Sequence, residues 1–238
     1  MSEIRAATVL PADRRPVTLT TADGLRLVGE LALPLGRPPV ATLIFLHPLP
    51  TAGGMMDSHL LRKAAFRLPA LADLAVLRFN TRGTSSAEGT SEGEFGDAET
   101  ERHDLAAAVA FAVAAGLPRI WLVGWSFGTE VALKWGSQEP AVEGAILLSP
   151  ALKRAGDADL ARWSASGKPL LALVPELDDY LRPDEAAPRF AKVPNARMVA
   201  VKGARHLWVG EPYVRIVLNE IVRQVNPAAW PLPTDWED

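Results

Sequence analysis

The sequence predicts an α/β fold in which helices cover both faces of a mostly parallel, eight-stranded sheet. Three observations support this prediction. Apolar, β-rich segments alternate along the chain with helical segments. Several of the apolar segments are continuous rather than alternating, as in strands that are buried on both faces. The 238 residues, 48% of them hydrophobic, suffice for one sizeable core. We therefore expect residues 1–238 to form a single domain.

The eight predicted strands are of two kinds. The first two alternate apolar and polar residues around Asp23-Gly24, which is typical of a hairpin and predicts an antiparallel edge. The other six are short apolar runs that suit buried strands. In chain order the segments are 17–21, 25–34, 40–46, 74–79, 120–123, 144–148, 170–174 and 198–201.

Helical segments lie between the strands. Asp57 or Ser58 can cap the first helix, and Pro69 is expected to end it. Pro183 suits the first position of the fifth helix. The predicted helices cover residues 58–68, 98–115, 127–138, 157–164, 183–192 and 213–225. Only the short helix at 157–164 falls between Pro150 and Lys168, which predicts a minimal cap or none, and an open site.

Three segments fall outside these elements. Residues 1–16 are predicted to be an N-terminal extension. Residues 84–96 are rich in Ser, Gly, Thr and Glu, which predicts a mobile surface loop. Residues 226–238 are rich in proline and tryptophan, and we expect an irregular tail docked on the surface or on a partner subunit in a homodimer.

The composition excludes several classes of function. The net charge is −3 without a basic stripe, so nucleic acid is not an expected partner. No apolar run reaches the roughly 18 residues of a membrane helix, so no membrane partner is expected. The N-terminus lacks a signal-peptide core, which favours a cytoplasmic location. No cysteine is present, and the four histidines lack the spacing of a zinc site. We expect neither a metal nor a cofactor.

The segment Gly124-Trp125-Ser126-Phe127-Gly128 is the strongest functional signal. It reads G-x-S-x-G, follows a β-rich run and precedes a helical segment. A strand, a tight turn around serine and a helix form the context of a nucleophile elbow. The sequence therefore predicts Ser126 as a nucleophile.

A serine nucleophile needs a general base and an acid that orients it. In this architecture the chain order is serine, acid, histidine. His206 is the only histidine after Ser126 and is the predicted base. Asp178 is the preferred acid because it follows the second strand after the one that precedes Ser126. Asp179 and Glu176 stay open as alternatives. Of the other histidines, His47 is expected to tie a loop to backbone groups, and His59 and His103 are expected to be solvated.

Acyl transfer also requires donors for an oxyanion. The backbone N–H of Phe127 lies at a helix start, and Leu49 supplies the only N–H between His47 and Thr51 because Pro48 and Pro50 have none. The predicted substrate pocket includes Trp125, Tyr180 and Trp208. No cationic cluster for a phosphorylated or CoA-bearing acyl group is evident in the sequence.

These motifs together resemble the α/β-hydrolase superfamily from about Val17 to Val225. The segment 47–57, HPLPTAGGMMD, resembles the HPxPxxGGxMD segment of small bacterial hydrolases near the dienelactone-hydrolase branch. Residues 77–83 are similar to their LRFNFRG segment, and 124–128 to their GFSFG. The resemblance implies the α/β-hydrolase fold and a triad of Ser126, Asp178 and His206. Pro175, where the family has glycine, and residues 84–87 depart from the pattern.

The expected function is hydrolysis of a small ester or acyl substrate by a carboxylesterase-like enzyme, through an acyl-enzyme at Ser126. An acyltransferase or thioesterase would use the same triad with another acceptor or substrate. A binding protein with a hydrolase fold is the alternative from another class, but no triad member is missing from the sequence.

Overall fold

The computed structural model describes residues 2–237, so Met1 and Asp238, the outer ends of the predicted extension and tail, lie outside it. Eight strands form one central sheet, as predicted, in the order β1-β2-β4-β3-β5-β6-β7-β8. Strand β2 is antiparallel to both neighbours, and every other neighbouring pair is parallel. The strands are β1 Asp13–Thr20, β2 Arg26–Leu33, β3 Ala41–Leu46, β4 Leu74–Phe79, β5 Ile120–Trp125, β6 Val142–Leu148, β7 Leu170–Pro175 and β8 Ala196–Val201.

Six helices cover the two faces of the sheet. They are α1 His59–Ala72, α2 Glu101–Ala114, α3 Phe127–Trp135, α4 Asp157–Ser166, α5 Pro183–Phe190 and α6 Glu211–Val225. Apolar side chains of α2, α3, α4 and α5 enter the core on one face. Those of α1 and α6 enter the core on the other face. The predicted α/β layers are therefore confirmed. Strand order reverses between β3 and β5, and a crevice forms outside the carboxyl ends of strands at such a point.

Pro69 lies inside α1 rather than at its end, so the predicted end of this helix was wrong. A proline in a helix leaves the carbonyl four residues earlier without its usual N–H donor. Here that carbonyl belongs to Ala65, and the guanidinium of Arg14 donates to it at 3.3 Å. Arg14 also donates to the Phe66 carbonyl. A side chain from the first strand thus replaces the missing helical hydrogen bond.

The loop at 84–96 forms several contacts that its composition did not indicate. It contains a two-residue antiparallel pairing of Ser85–Ser86 with Gly89–Thr90. Glu92 is ion-paired with Arg26, and the Ser91 hydroxyl donates to the Asn80 carbonyl at 2.8 Å. These contacts fasten the loop to β2 and to the residue after β4.

The chain ends pack against each other. Ser2–Glu3 pairs antiparallel with Asp235–Trp236, and Leu232 of the tail is buried. The tail therefore docks on its own chain, and β1 already begins within the predicted 1–16 extension. Between residues 2 and 237, no helix combines the length and apolar character needed to cross a membrane.

The segment between β6 and β7 carries no cap domain, as expected. Its one helix, α4, lies against α3 and buries Leu160 and Trp163 in the core. It therefore does not cover the carboxyl ends of the central strands.

Candidate active site

Ser126 occupies a strained turn between β5 and α3. Its backbone angles are φ 53° and ψ −111°, which a non-glycine residue rarely adopts. Glycine is required on both sides of this turn because neighbouring backbone atoms lie too close for a Cβ. A Cβ on Gly124 would lie 2.4 Å from the Gly128 carbonyl oxygen, and one on Gly128 would lie 2.0 Å from that of Leu46. The turn thereby presents the Ser126 hydroxyl at the carboxyl end of the central strand β5.

Three side chains from distant segments meet at this turn. Nε2 of His206 lies 2.8 Å from Oγ of Ser126. Nδ1 of His206 lies 2.9 Å and 3.0 Å from the two carboxylate oxygens of Asp178. A proton on Nδ1 that is donated to Asp178 leaves Nε2 free to accept from the Ser126 hydroxyl. This is the arrangement of a nucleophile, a base and an orienting acid.

The surroundings of the acidic residues distinguish them. Asp178 is 2% exposed, and Oδ1 accepts the backbone N–H of Tyr180 at 2.9 Å. Asp179 is exposed, and no hydrogen bond to His206 is found for it among the described residues. Glu176 instead accepts the backbone N–H of Gly203 at 2.7 Å. Of these three acidic residues, only Asp178 therefore forms a hydrogen bond with the imidazole.

The backbone carbonyl of His206 is held by two donors. The indole Nε1–H of Trp125 donates to it at 3.1 Å, and the hydroxyl of Ser149 donates at 3.0 Å. The ring of Tyr180 stands edge-on to the imidazole, with centroids 4.5 Å apart. Ser149 was not identified from the sequence. It directly follows β6, which lies between the strands that precede Ser126 and Asp178, and this position could have indicated it.

The two predicted oxyanion donors line the same pocket as Ser126. Within residues 2–237, no hydrogen bond is donated by the N–H of Leu49 or of Phe127. Gly54 folds the Leu49 loop tightly and donates its N–H to the Leu49 carbonyl at 2.9 Å. A Cβ on Gly54 would lie 2.1 Å from the Pro48 carbonyl oxygen. Both N–H groups are thus available to an oxygen in the pocket.

His47 secures this loop, in agreement with the structural role expected for it. Its Nδ1 lies 2.7 Å from the Pro48 carbonyl, and Nε2 accepts the N–H of Thr81 at 3.0 Å. The side chain is completely buried, and burial lowers the pKa of His47 to about 4. The neutral ring therefore links the loop after β3 to the loop after β4 at neutral pH.

A pocket of about 270 Å³ opens at Ser126. Tyr180, which was predicted to line it, and Leu207 are about half exposed at its mouth. The complete lining is Pro48, Leu49, Ala52, Ser126, Phe127, Glu130, Ala151, Lys153, Arg154, Tyr180, His206 and Leu207. A larger cavity of about 320 Å³ lies beside Arg67 and Glu211, and no triad residue lines it.

Trp125 and Trp208 do not line the pocket, so their predicted role was wrong. Both are at most 2% exposed and belong to the core on the α1 and α6 face. Side chains alternate along a strand, and Trp125 shares the face of Trp121 and Val123. The pocket lies instead on the side of α3. Trp208 enters the same core with a φ of 51°, which leaves its neighbours Leu207 and Val209 exposed.

His59 was also assigned wrongly as a solvated residue. It is half-buried, its Nε2 lies 2.8 Å from the Leu207 carbonyl, and its ring stands edge-on to Trp125. It therefore supports the loop that follows His206. His103 is partly buried and accepts a hydrogen bond from the neighbouring Arg102 at 3.3 Å.

Two cationic residues line the pocket, although the sequence showed no cationic cluster. Lys153 and Arg154 lie on the loop between β6 and α4. The buried carboxylate of Glu130 on α3 accepts the backbone N–H groups of both at 3.0 Å. Arg154 is ion-paired with Asp97. For metal ions, no group of three His, Asp or Glu side chains with suitable geometry occurs in the described part of the chain.

Comparison with known proteins identifies the family and fold of the chain. A family model described as "Alpha/beta hydrolase family" matches residues 43–238. No functionally curated protein has significant similarity to the chain. Among solved structures, a lidless α/β serine hydrolase from Xanthomonas campestris has a TM-score of 0.75 at 23% identity, with 94% of this chain and 99% of that chain covered.

Two further structures have the same architecture. An α/β serine hydrolase homologue from Coxiella burnetii has a TM-score of 0.75 at 23% identity, and covers 89% of this chain and 97% of its own. An esterase from Pyrococcus furiosus has a TM-score of 0.72 at 19% identity, with 92% and 98% covered. At these identities the likeness shows the α/β-hydrolase fold.

Proposed function

Because the chain belongs to the α/β-hydrolase family, we propose that it is a serine hydrolase that cleaves a small ester or related acyl compound. The main support for this proposal is the pair of hydrogen bonds that connects Ser126 Oγ through His206 to the buried carboxylate of Asp178. The serine hydrolase and esterase descriptions of the structural neighbours also support it. The HPxPxxGGxMD-like segment supports a position near the dienelactone-hydrolase branch.

In the first half of the reaction, Oγ of Ser126 attacks the acyl carbon while Nε2 of His206 takes the hydroxyl proton. The carbonyl oxygen becomes an oxyanion, which the N–H groups of Leu49 and Phe127 stabilise. The tetrahedral intermediate then breaks its bond to the alcohol oxygen. Nε2 of His206 returns the proton to that oxygen, the alcohol leaves, and the acyl group stays on Ser126.

In the second half, water attacks the acyl carbon and gives a proton to Nε2 of His206. The bond between the acyl carbon and Ser126 Oγ breaks, and His206 protonates the released serine oxygen. A carboxylic acid leaves. Asp178 stays ionised throughout and stabilises the transient imidazolium. An open pocket without a cap admits water, which favours hydrolysis over transfer to another acceptor.

The pocket size supports a small acyl group. A volume of about 270 Å³ lies just below the usual range of ligand-site volumes, roughly 300 to 1,000 Å³. We therefore expect turnover to fall once the acyl chain outgrows the pocket. The half-exposed Tyr180 and Leu207 would contact a longer chain only at the mouth.

A panel of 4-nitrophenyl esters with acyl chains of graded length tests the proposal. The wild-type protein should hydrolyse the short esters, and Ser126→Ala should reduce the rate by several orders of magnitude. Circular dichroism of the variant serves as the control for folding. Hydrolysis that persists in folded Ser126→Ala would rule out this site as its source.

A further inference from the structure

Lys153 places an unpaired positive charge in the pocket of Ser126. Its ammonium lies 4.1 Å from the centroid of the Tyr180 ring, and that ring contacts the imidazole of His206. No carboxylate within residues 2–237 forms an ion pair with Lys153. The ammonium therefore stands one aromatic ring away from the base and has no protein counter-ion.

The other charged groups of the pocket wall have partners within the protein. The two carboxylate oxygens of Glu130 accept three backbone N–H groups, from Lys153, Arg154 and Ala155. The guanidinium of Arg154 is ion-paired with Asp97 and lies over the Phe127 ring, 5.4 Å from its centroid. Among the charged side chains that line the pocket, the ammonium of Lys153 is thus the one that has neither a hydrogen bond nor an ion pair in the described part of the chain.

The loop that carries Lys153 is fixed rather than free. Three hydrogen bonds to a carboxylate that is 1% exposed hold residues 153–155 against α3. Hydrogen bonds to a charged acceptor are stronger than neutral ones, so the backbone at this position is well anchored. A lysine on an anchored backbone, with its ammonium over an aromatic face, is partly ordered before a ligand arrives.

We propose that Lys153 is a specificity-determining residue that binds an anionic group, specifically a carboxylate, on the ester that Ser126 cleaves. This inference rests on the proposed hydrolase function and narrows its substrate class to esters with a negative charge. The carboxylate can come from the acyl part or from the alcohol part, and both present the same group to the ammonium.

Two pairs of matched esters distinguish these sources. In the first pair the charge is on the acyl part, with mono-4-nitrophenyl adipate compared with 4-nitrophenyl pentanoate. In the second it is on the leaving group, with 4-acetoxybenzoate compared with 4-acetoxybenzamide. The measured quantity is the ratio of kcat/KM for the charged ester to that for the neutral ester, after subtraction of uncatalysed hydrolysis.

Wild-type protein should prefer the charged ester in one of the two pairs, by about three- to tenfold at low salt. Lys153→Met should abolish this preference, because kcat/KM should fall more for the charged ester than for its neutral partner, whereas Lys153→Arg should keep most of it. The preference should also shrink as sodium chloride rises from about 50 to about 500 mM, because salt screens the charge pair.

Lys202→Met is the matched control. Lys202 is exposed, forms no ion pair among the described residues and lies outside the pocket, so the variant removes the same charge elsewhere. It should keep the wild-type ratio. If the ratio of kcat/KM for the charged to the neutral ester is the same in wild type and Lys153→Met for both pairs, the inference is overturned. Ser126-dependent cleavage of the neutral esters would in that case still uphold the proposed function. Absence of Ser126-dependent cleavage of every ester would instead refute the proposed function itself.

Discussion

The carboxylate of Glu130 accepts a hydrogen bond of 2.6 Å from the backbone N–H of Ala155 and so joins α3 to the wall of the pocket. The same carboxylate holds the N–H groups of Lys153 and Arg154. The helix that begins directly after Ser126 therefore also positions the loop that faces it. The predicted nucleophile and this wall of the pocket therefore share one structural support.

Glu130→Gln should destabilise the protein and loosen this loop. The amide keeps one acceptor oxygen but turns an NH₂ group toward backbone donors, so at least one buried N–H loses its partner. Urea unfolding should show a loss of about 2 kcal/mol in the free energy of unfolding, and KM should rise more than kcat falls. Glu143→Gln, at an exposed pair with Arg119, should change stability by less than about 0.5 kcal/mol. Equal effects of the two variants would contradict the anchoring role.

Asp178→Asn and Asp179→Asn identify the acid directly. Only Asp178 contacts Nδ1 of His206, and an asparagine there favours the wrong tautomer of the imidazole. We expect kcat for a short 4-nitrophenyl ester to fall by about 10,000-fold in Asp178→Asn and by less than threefold in Asp179→Asn. A large loss in Asp179→Asn alone would assign the acid to the exposed neighbour.

Gly54→Ala should impair catalysis by moving the Leu49 loop. The added Cβ would lie 2.1 Å from the Pro48 carbonyl oxygen, so the loop has to shift. Displacement of one oxyanion donor typically reduces kcat by about 100-fold or more. Gly156→Ala is the matched control, because a Cβ at Gly156 meets no atom within 4 Å. Unchanged kcat in folded Gly54→Ala would argue against Leu49 as a donor.

The buried His47 should make the protein less stable in mild acid. Its pKa is about 4 in the folded protein and about 6.5 in the unfolded chain, so between these values the unfolded state binds more protons. The stability that neutral His47 contributes is complete above pH 6.5 and is lost as the pH falls toward 4. From pH 7 to pH 5 this group should account for about 2 kcal/mol of lost stability.

His47→Gln provides the comparison. The variant should have a lower free energy of unfolding at pH 7, since the links to Pro48 and Thr81 change. It should nevertheless lose about 2 kcal/mol less than the wild type between pH 7 and pH 5. Parallel pH profiles of His47→Gln and the wild type would contradict the assignment.

Much of the fold follows from local patterns in the sequence. Strands β3 and β4 are uninterrupted apolar runs, and their predicted bounds differ from the observed ones by one residue at most. The end of α1 was missed because Arg14, about 50 residues away, satisfies the carbonyl that Pro69 leaves free. Such long-range compensation has no local signal.

The site was predicted where chemistry and chain order restrict the choice. Ser126 follows from its turn, and His206 is the only later histidine. Whether Asp178 or Asp179 faces the imidazole depends on the rotation of a single loop, which the three-dimensional structure resolves. Trp125 was misplaced although strand alternation already put it on the opposite face. Lys153 and Glu130 lie on separate segments, so their joint place in the pocket depends on tertiary packing.

Labelling with a fluorophosphonate probe tests whether Ser126 is an activated nucleophile. An activated serine attacks the phosphorus, displaces fluoride and becomes covalently modified, whereas ordinary serines do not react. We predict one label per folded wild-type chain, located at Ser126 by peptide mass spectrometry, and none in Ser126→Ala. Absence of labelling in the folded wild-type protein, or labelling that persists in Ser126→Ala, would contradict a catalytic role for Ser126.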